Sequence, residues 1–178
     1  MRATLSVMAL TVALAALPAT AADKPKLSHQ DRNFVEDAQA GGIMEVQLGQ
    51  LASERAQSQD VKDFGSHMVT DHSKVNQQLD TITNKMGMSP PNELPREQRR
   101  QVDKLSKLNG AEFDRAYIAT MVDDHKKDIG AFRKQADKGE NAELKNFAQA
   151  TTPTLEQHLQ AAEDIQAKIH GQQAQVPR

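Results

Sequence analysis

Apolar residues recur along this chain in steps of three and four, the spacing of helices that bury one face. Four long segments carry the pattern, and no segment alternates as a strand would. The first opens on Ser28 as N-cap with Asp31 three residues on, and its stripe reads Phe34, Ala38, Gly41, Glu45, Leu48, Ala52 to an end near Gln57. After the polar turn Ser58-Gln59-Asp60 the second runs Val61, Phe64, Met68, His72, Val75, Leu79, Ile82, Met86, a heptad-like seam with a histidine at its centre. Gly87 stops it, and Ser89-Pro90-Pro91-Asn92 cannot continue it. Pro95 opens a short helix with Val102, Leu105 and Leu108, closed by Asn109-Gly110. The third long helix carries Ile118, Val122, His125, Ile129, Phe132 and Ala136 and stops at Gly139. The fourth starts from Asn141 as N-cap, carries Leu144, Ala148, Thr151, Leu155, His158, Ala162, Ile165 and Ile169, and ends at Gly171.

None of these amphipathic helices, each about 40 Å long, can hide its apolar stripe alone. The expected fold is all-α, a four-helix bundle with a short helix in the long connection between the second and third long helices. That connection, from Gly87 to Gly110, permits either a crossover or a plain up-and-down turn. The chain also echoes itself. Met-Val-x-Asp-His appears at 68–72 and 121–125, VKDF at 61–64 resembles LKNF at 144–147, and LGQL at 48–51 resembles IGAF at 129–132. The first hairpin is read as recurring in the second; the Met-Val-x-Asp-His match itself pairs the second long helix with the third, and shared helix composition is the alternative account of part of it.

The N-terminus changes the compartment. Met1 and Arg2 precede an apolar run from Leu5 to Leu17, and Ala19-Thr20-Ala21 has the small-x-small form of a signal-peptidase site. Residues 1–21 are therefore expected to be a signal peptide, 22–170 the bundle domain, and the Gln-rich 171–178 a disordered tail, with a periplasmic or secreted product. That run is too short to span a bilayer, and no later stretch is apolar over about twenty residues, so no transmembrane segment is expected in the mature chain. There is no cysteine, which excludes disulfides, thiolate metal sites and lipid-modified cysteine. The net charge of −2 becomes −3 once Arg2 is removed, and aromatics are 3%, so nucleic acid is not an expected partner. A protein partner is not specified by the sequence.

Three histidines, His29, His67 and His170, fall on polar positions. His72, His125 and His158 instead lie on core-facing seams, one per helix, and the first helix supplies Glu45 on its own apolar stripe. Counted along the helices, Glu45, His72 and His125 stand at one height and His158 about a turn deeper. A carboxylate in an apolar core is costly unless paired or bound to a cation. The set Glu45, His72, His125 and His158 is thus the candidate metal site, for one divalent transition metal such as Zn, Fe, Mn or Cu. A metal-free Glu–His polar network is the main competitor. Asp71 and Asp124 are either solvated neighbours or acceptors behind the rings. Met44, Met68 and Met121 lie close by; they read first as gap-filling core, with a soft copper ion as the minority reading. No phosphate loop or nucleophile elbow is present, so an enzyme is not the leading reading.

Phe34, GGIMEVQLGQLA at 41–52, VKDFGSHMVTDH at 61–72, FDRAYIATMVDDH at 113–125 and HLQAAEDI at 158–165 resemble the bacterial family catalogued as domain of unknown function 4142. Members are often labelled predicted outer membrane proteins and placed in the ferritin-like superfamily. The resemblance implies an exported ferritin-like bundle and supplies no established activity. Di-iron ferritin-like sites use Glu-x-x-His on two helices. Val69, Val122 and Leu155 stand three residues before the seam histidines, so the expectation is a single ion and not a di-iron centre. Three functional readings follow: a single-metal binding bundle, a metal-free envelope interaction or stress-protective bundle, and a small mononuclear metalloenzyme.

Overall fold

In the computed structural model the backbone is described for residues 27–174 and the side chains for 27–171; the predicted signal peptide and the last residues of the tail lie outside that range. The described residues form five helices and no strand: α1 (His29–Arg55), α2 (Gln59–Lys85), α3 (Arg96–Leu105), α4 (Gly110–Lys138) and α5 (Ala142–Ala174). Most limits follow local chemistry. The Ser28 hydroxyl accepts from the Asp31 backbone N–H at the start of α1, and Asn141 Oδ1 accepts from Leu144 N–H at the start of α5. Gly87, at φ 75°, takes the left-handed position beyond α2, and the next N–H, of Met88, donates to the Thr83 carbonyl.

Two expected limits shift. The short helix ends at Leu105 and Gly110 opens α4, while α5 passes through Gly171 to Ala174. A helical glycine costs only about 1 kcal/mol against alanine, and Gln172, Gln173 and Ala174 after it are adequate helix formers.

The open question of topology is answered by two aspartates. Asp31, at the start of α1, accepts the backbone N–H groups of Glu140 and Asn141 in the α4–α5 turn at 3.2 and 3.0 Å. Asp114, at the start of α4, accepts those of Gln57 and Ser58 in the α1–α2 turn at 3.0 and 2.9 Å. Each aspartate thus ties the start of one hairpin to the turn of the other, so α1 and α4 are antiparallel. Since α1 and α2 are antiparallel too, α2 and α4 run the same way, and 87–109 must cross the length of the bundle. The order is the ferritin-like crossover. The aspartates are 83 positions apart (114 − 31), as are the turns they cap (140 − 57) and the VKDF and LKNF segments (144 − 61), so the hairpins repeat in space in that register; the LGQL and IGAF segments (129 − 48 = 81) and the two Met-Val-x-Asp-His segments (121 − 68 = 53) fall outside it.

The α1–α2 pair is held close by Gly49 and Gly65. A Cβ on Gly49 would stand 2.6 Å from the Gly65 carbonyl oxygen, and one on Gly65 would stand 2.6 Å from Ala52 Cβ. Packing then divides into two apolar clusters. One surrounds Leu48, Phe64, Met68, Phe113, Tyr117 and Met121 near the α1–α2 turn; the other surrounds Phe34, Leu79, Phe132, Leu144 and Phe147 near the α4–α5 turn. Between them, at mid-height, lies a layer of buried polar side chains.

Candidate metal centre

That layer is Glu45, His72, His125 and His158, one from each long helix, with 1, 2, 0 and 7% of their surface exposed. The three rings form a near-equilateral triangle with centroids 5.7, 5.3 and 5.4 Å apart. One ring nitrogen from each lies within 4.8 Å of the other two, a spacing at which the three buried histidines can hold a metal ion. His29, His67 and His170 are exposed, as expected.

His158 is not displaced by a turn. Measured from the middle of each turn, Glu45 is 12 residues before Gln57 and His72 is 15 after it, while His125 is 15 before Glu140 and His158 is 18 after it. In both hairpins the second residue sits three positions, about 4.5 Å, farther from the turn. Helical side chains lean toward the N-terminus of their own helix. The first residue of each pair therefore leans away from the turn, the second leans toward it, and they meet. Counting Cα positions alone leaves this lean out.

Each ring has one nitrogen engaged and one without a partner. His125 Nδ1 lies 2.9 Å from the Met121 carbonyl oxygen, which can only accept, so the proton is on Nδ1 and Nε2 presents a lone pair. His158 Nε2 lies 3.0 Å from Asp71 Oδ2, and with the carboxylate accepting, the lone pair is on Nδ1. His72 Nδ1 lies 2.8 Å from Glu45 Oε2; when Glu45 is ionised it accepts there, leaving Nε2. The remaining nitrogens, His72 Nε2, His125 Nε2 and His158 Nδ1, are buried without hydrogen-bond partners, and so is Glu45 Oε1. Glu45 faces the Nδ1 side of two rings, with Oε1 3.5 Å from His125 Nδ1.

Burial sets the protonation. It drives the three imidazoles below their ordinary range, His72 to about 4, against the opposing charges of Asp128 and Asp71. Burial also pushes the Glu45 carboxyl up to about 7, partly countered by His125 and reinforced by Asp124. The rings are thereby held neutral, the form that coordinates metal.

Of the two aspartates beside the seam, Asp71 serves as an acceptor behind His158, whereas Asp124, largely covered by α3, accepts from Gln101 of that helix at 2.7 Å. Met44, Met68 and Met121 are at most 4% exposed and belong to the lower apolar cluster. One residue escaped the sequence reading. Asp128, half-buried on α4, has its carboxyl raised to about 8 by burial and by the charges of Glu45 and Asp124. The 83-residue repeat marks it, since 128 − 45 is again 83 and Asp128 is the counterpart of Glu45.

No described helix is long and apolar enough to cross a membrane. Among solved structures the fold is similar to a DUF305 fragment from Deinococcus radiodurans, with a TM-score of 0.70 and 17% identity over 81% of this chain and 99% of that one. It is also similar to a DUF305 protein of Streptomyces coelicolor, named as a candidate secreted protein, with a TM-score of 0.68 and 13% identity over 79% of this chain and 92% of that one. Comparison with curated proteins finds no match. The profile described as domain of unknown function DUF4142 matches residues 16–165, and the chain belongs to that family.

Proposed function

We propose that this protein is exported and holds a single transition-metal ion on His72 Nε2, His125 Nε2 and His158 Nδ1. The observation that carries the reading is that the three rings bring one nitrogen each within 4.8 Å of the other two, while these three nitrogens are buried without partners and so are the ones free to bind. A buried imidazole nitrogen without a partner is unfavourable, and three at one point are better satisfied by a cation than by any apolar packing. Nitrogens around a tetrahedral ion at 2.0–2.1 Å stand about 3.3 Å apart, so modest ring rotation closes the present spacing. The Met121 carbonyl, Asp71 and Glu45 each orient one ring from behind, as acceptors behind metal-bound histidines commonly do.

This proposal keeps all four residues expected from the sequence and gives Glu45 a different task. Its oxygens lie 2.8 and 3.5 Å from the Nδ1 atoms of His72 and His125, the nitrogens not assigned to the ion, so in this reading it balances the ion's charge through His72 without being a fourth ligand. Imidazole donors suit zinc, copper, iron or nickel. The cavity beside the site is only about 20 Å³, room for one water. That favours holding an ion over turning over an organic substrate.

The test is elemental analysis of protein isolated from the periplasm without chelator, followed by zinc titration of the stripped protein. About one ion per chain, lost in His72→Ala, His125→Ala and His158→Ala but retained in His67→Ala, is expected. Wild-type protein with no bound metal and no zinc-dependent change in melting temperature would refute the metal reading and leave the polar network. Export is tested separately by intact mass, which should show loss of residues 1–21.

A further inference from the structure

The three histidines lie buried between two apolar clusters, with only His158, 7% exposed beside Asp71, near the surface, so an ion needs a way in. The small cavity above them is lined by Glu45, His72 and Asn76 and reaches Ala38, Asp128 and Phe132. Those last three residues also line a second, much larger cleft of about 420 Å³ that opens between the upper halves of α1 and α4. Lower down, the same α1–α4 groove is covered by α3, whose Leu105 is buried in the lower cluster and whose Gln101 bonds Asp124. The crossover thus covers one half of the groove and leaves the other open.

Resting on the metal reading above, we infer that the α1–α4 cleft is the access route for the cation, with Asp128 as the relay between cleft and site. The oxygen donors are arranged in series. Asp37 stands in the outer cleft, Asp128 lines both spaces, and Glu45, whose Oε1 is buried and unpartnered, lines the inner one. A hydrated divalent cation sheds water only as protein oxygens replace it, and this row supplies them before the imidazoles take over. Lys134 is the one cationic side chain in the cleft.

The competing opening lies between α4 and α5, about 280 Å³, rimmed by Lys126 and Arg133 as well as Glu156 and Glu163. Its two cations are engaged by those glutamates at 2.8 and 2.7 Å, and it shares no lining residue with the inner cavity. It offers neither donors in series nor a connection.

The pseudo-symmetry gives the route a structural origin. Asp128 is to the second hairpin what Glu45 is to the first, so the repeat places two carboxylates against one central cavity. Their positions differ in exposure: Glu45 is sealed beside His72, while Asp128 is half-buried at the boundary with the outer cleft.

The experiment measures exchange rates and affinity separately. Zinc release to the chromophoric chelator pyridylazoresorcinol and zinc uptake by the stripped protein would be followed by stopped flow. Ala38→Leu narrows the shared neck without touching a ligand. It should slow uptake and release alike, by about fivefold or more, with Kd within about twofold of wild type, because a barrier on the path alters both rates equally. Asp128→Asn should slow uptake with a folded spectrum unchanged, and Gln160→Phe, filling the α4–α5 opening, should leave both rates alone. Unchanged rates in Ala38→Leu, or slowing in Gln160→Phe instead, would overturn the route while leaving the metal site standing. A loss of affinity in Ala38→Leu with release accelerated would show that the residue supports the site and not the path. Wild-type protein that takes up no zinc would overturn both the route and the metal reading.

Discussion

Glu45→Gln should make the metal-free protein more stable and the metal-bound form weaker. Glu45 is 1% exposed and its carboxyl is raised from 4.5 to about 7 by burial. A folded-state pKa above the unfolded one means that the folded protein binds the extra proton between those two values. Stability from this group is therefore intact below about pH 4.5 and is lost as pH rises through 7. The difference, two and a half units, corresponds to about 3 kcal/mol carried as a penalty by the metal-free protein above neutrality. Glutamine keeps the shape, can still accept from His72 Nδ1, and never ionises. Urea denaturation of stripped protein, followed by circular dichroism, should show Glu45→Gln more stable than wild type by about 1–3 kcal/mol at pH 8 and indistinguishable from it at pH 4.5. With zinc the order reverses, since loss of the carboxylate behind His72 should weaken binding by about 10–100-fold. A stripped glutamine variant no more stable than wild type at pH 8 would refute the reasoning, because Glu45 would then be a satisfied anion and not a buried one awaiting a cation.

Three further outcomes are expected. Asp71→Asn should lower zinc affinity, as measured by chelator competition, while leaving the melting temperature of stripped protein close to wild type, because Asp71 acts on the His158 tautomer from a half-exposed position. Asp31→Ala should cost about 2–4 kcal/mol at pH 7 in urea denaturation by orphaning Gln135 Nε2 and two turn N–H groups. Hydrogen bonds from Gln135, Ser28 and the α4–α5 turn outweigh burial and hold the Asp31 carboxyl below 3.8; its contribution is therefore present above that pH and fades as acid titrates the folded state. Gly65→Ala should cost about 1–3 kcal/mol by forcing α1 and α2 apart, seen as a lowered melting temperature.

The helices, their order and the buried polar layer were legible in the sequence because a 3.6-residue period survives wherever one face of a helix is buried. His72 and His125 interrupt apolar seams, and an interrupted seam is visible without coordinates. Topology was not legible, since the length of 87–109 fits both crossover and simple turn, and the answer lay in Asp31 and Asp114. Asp31 alone looks like an ordinary first-turn acid and Asp114 like a polar residue one turn into α4, and only the hydrogen bonds between the hairpins reveal that each caps the other's turn.

The ligand geometry was hidden for a related reason. Seam positions say that a side chain faces the core, and they say nothing about which of its two ring nitrogens meets its neighbours. Here that choice is made by three unlike acceptors: a carbonyl one turn back on the same helix, a carboxylate on the facing helix of the same hairpin, and a carboxylate from the other hairpin. The Met121 carbonyl is available to any helical histidine four residues on, so His125 carries its own orientation in its sequence context. His72 and His158 depend on partners 27 and 87 residues away. A substitution at Glu45 or Asp71 therefore alters the metal chemistry through a hydrogen bond that no local reading of the chain contains.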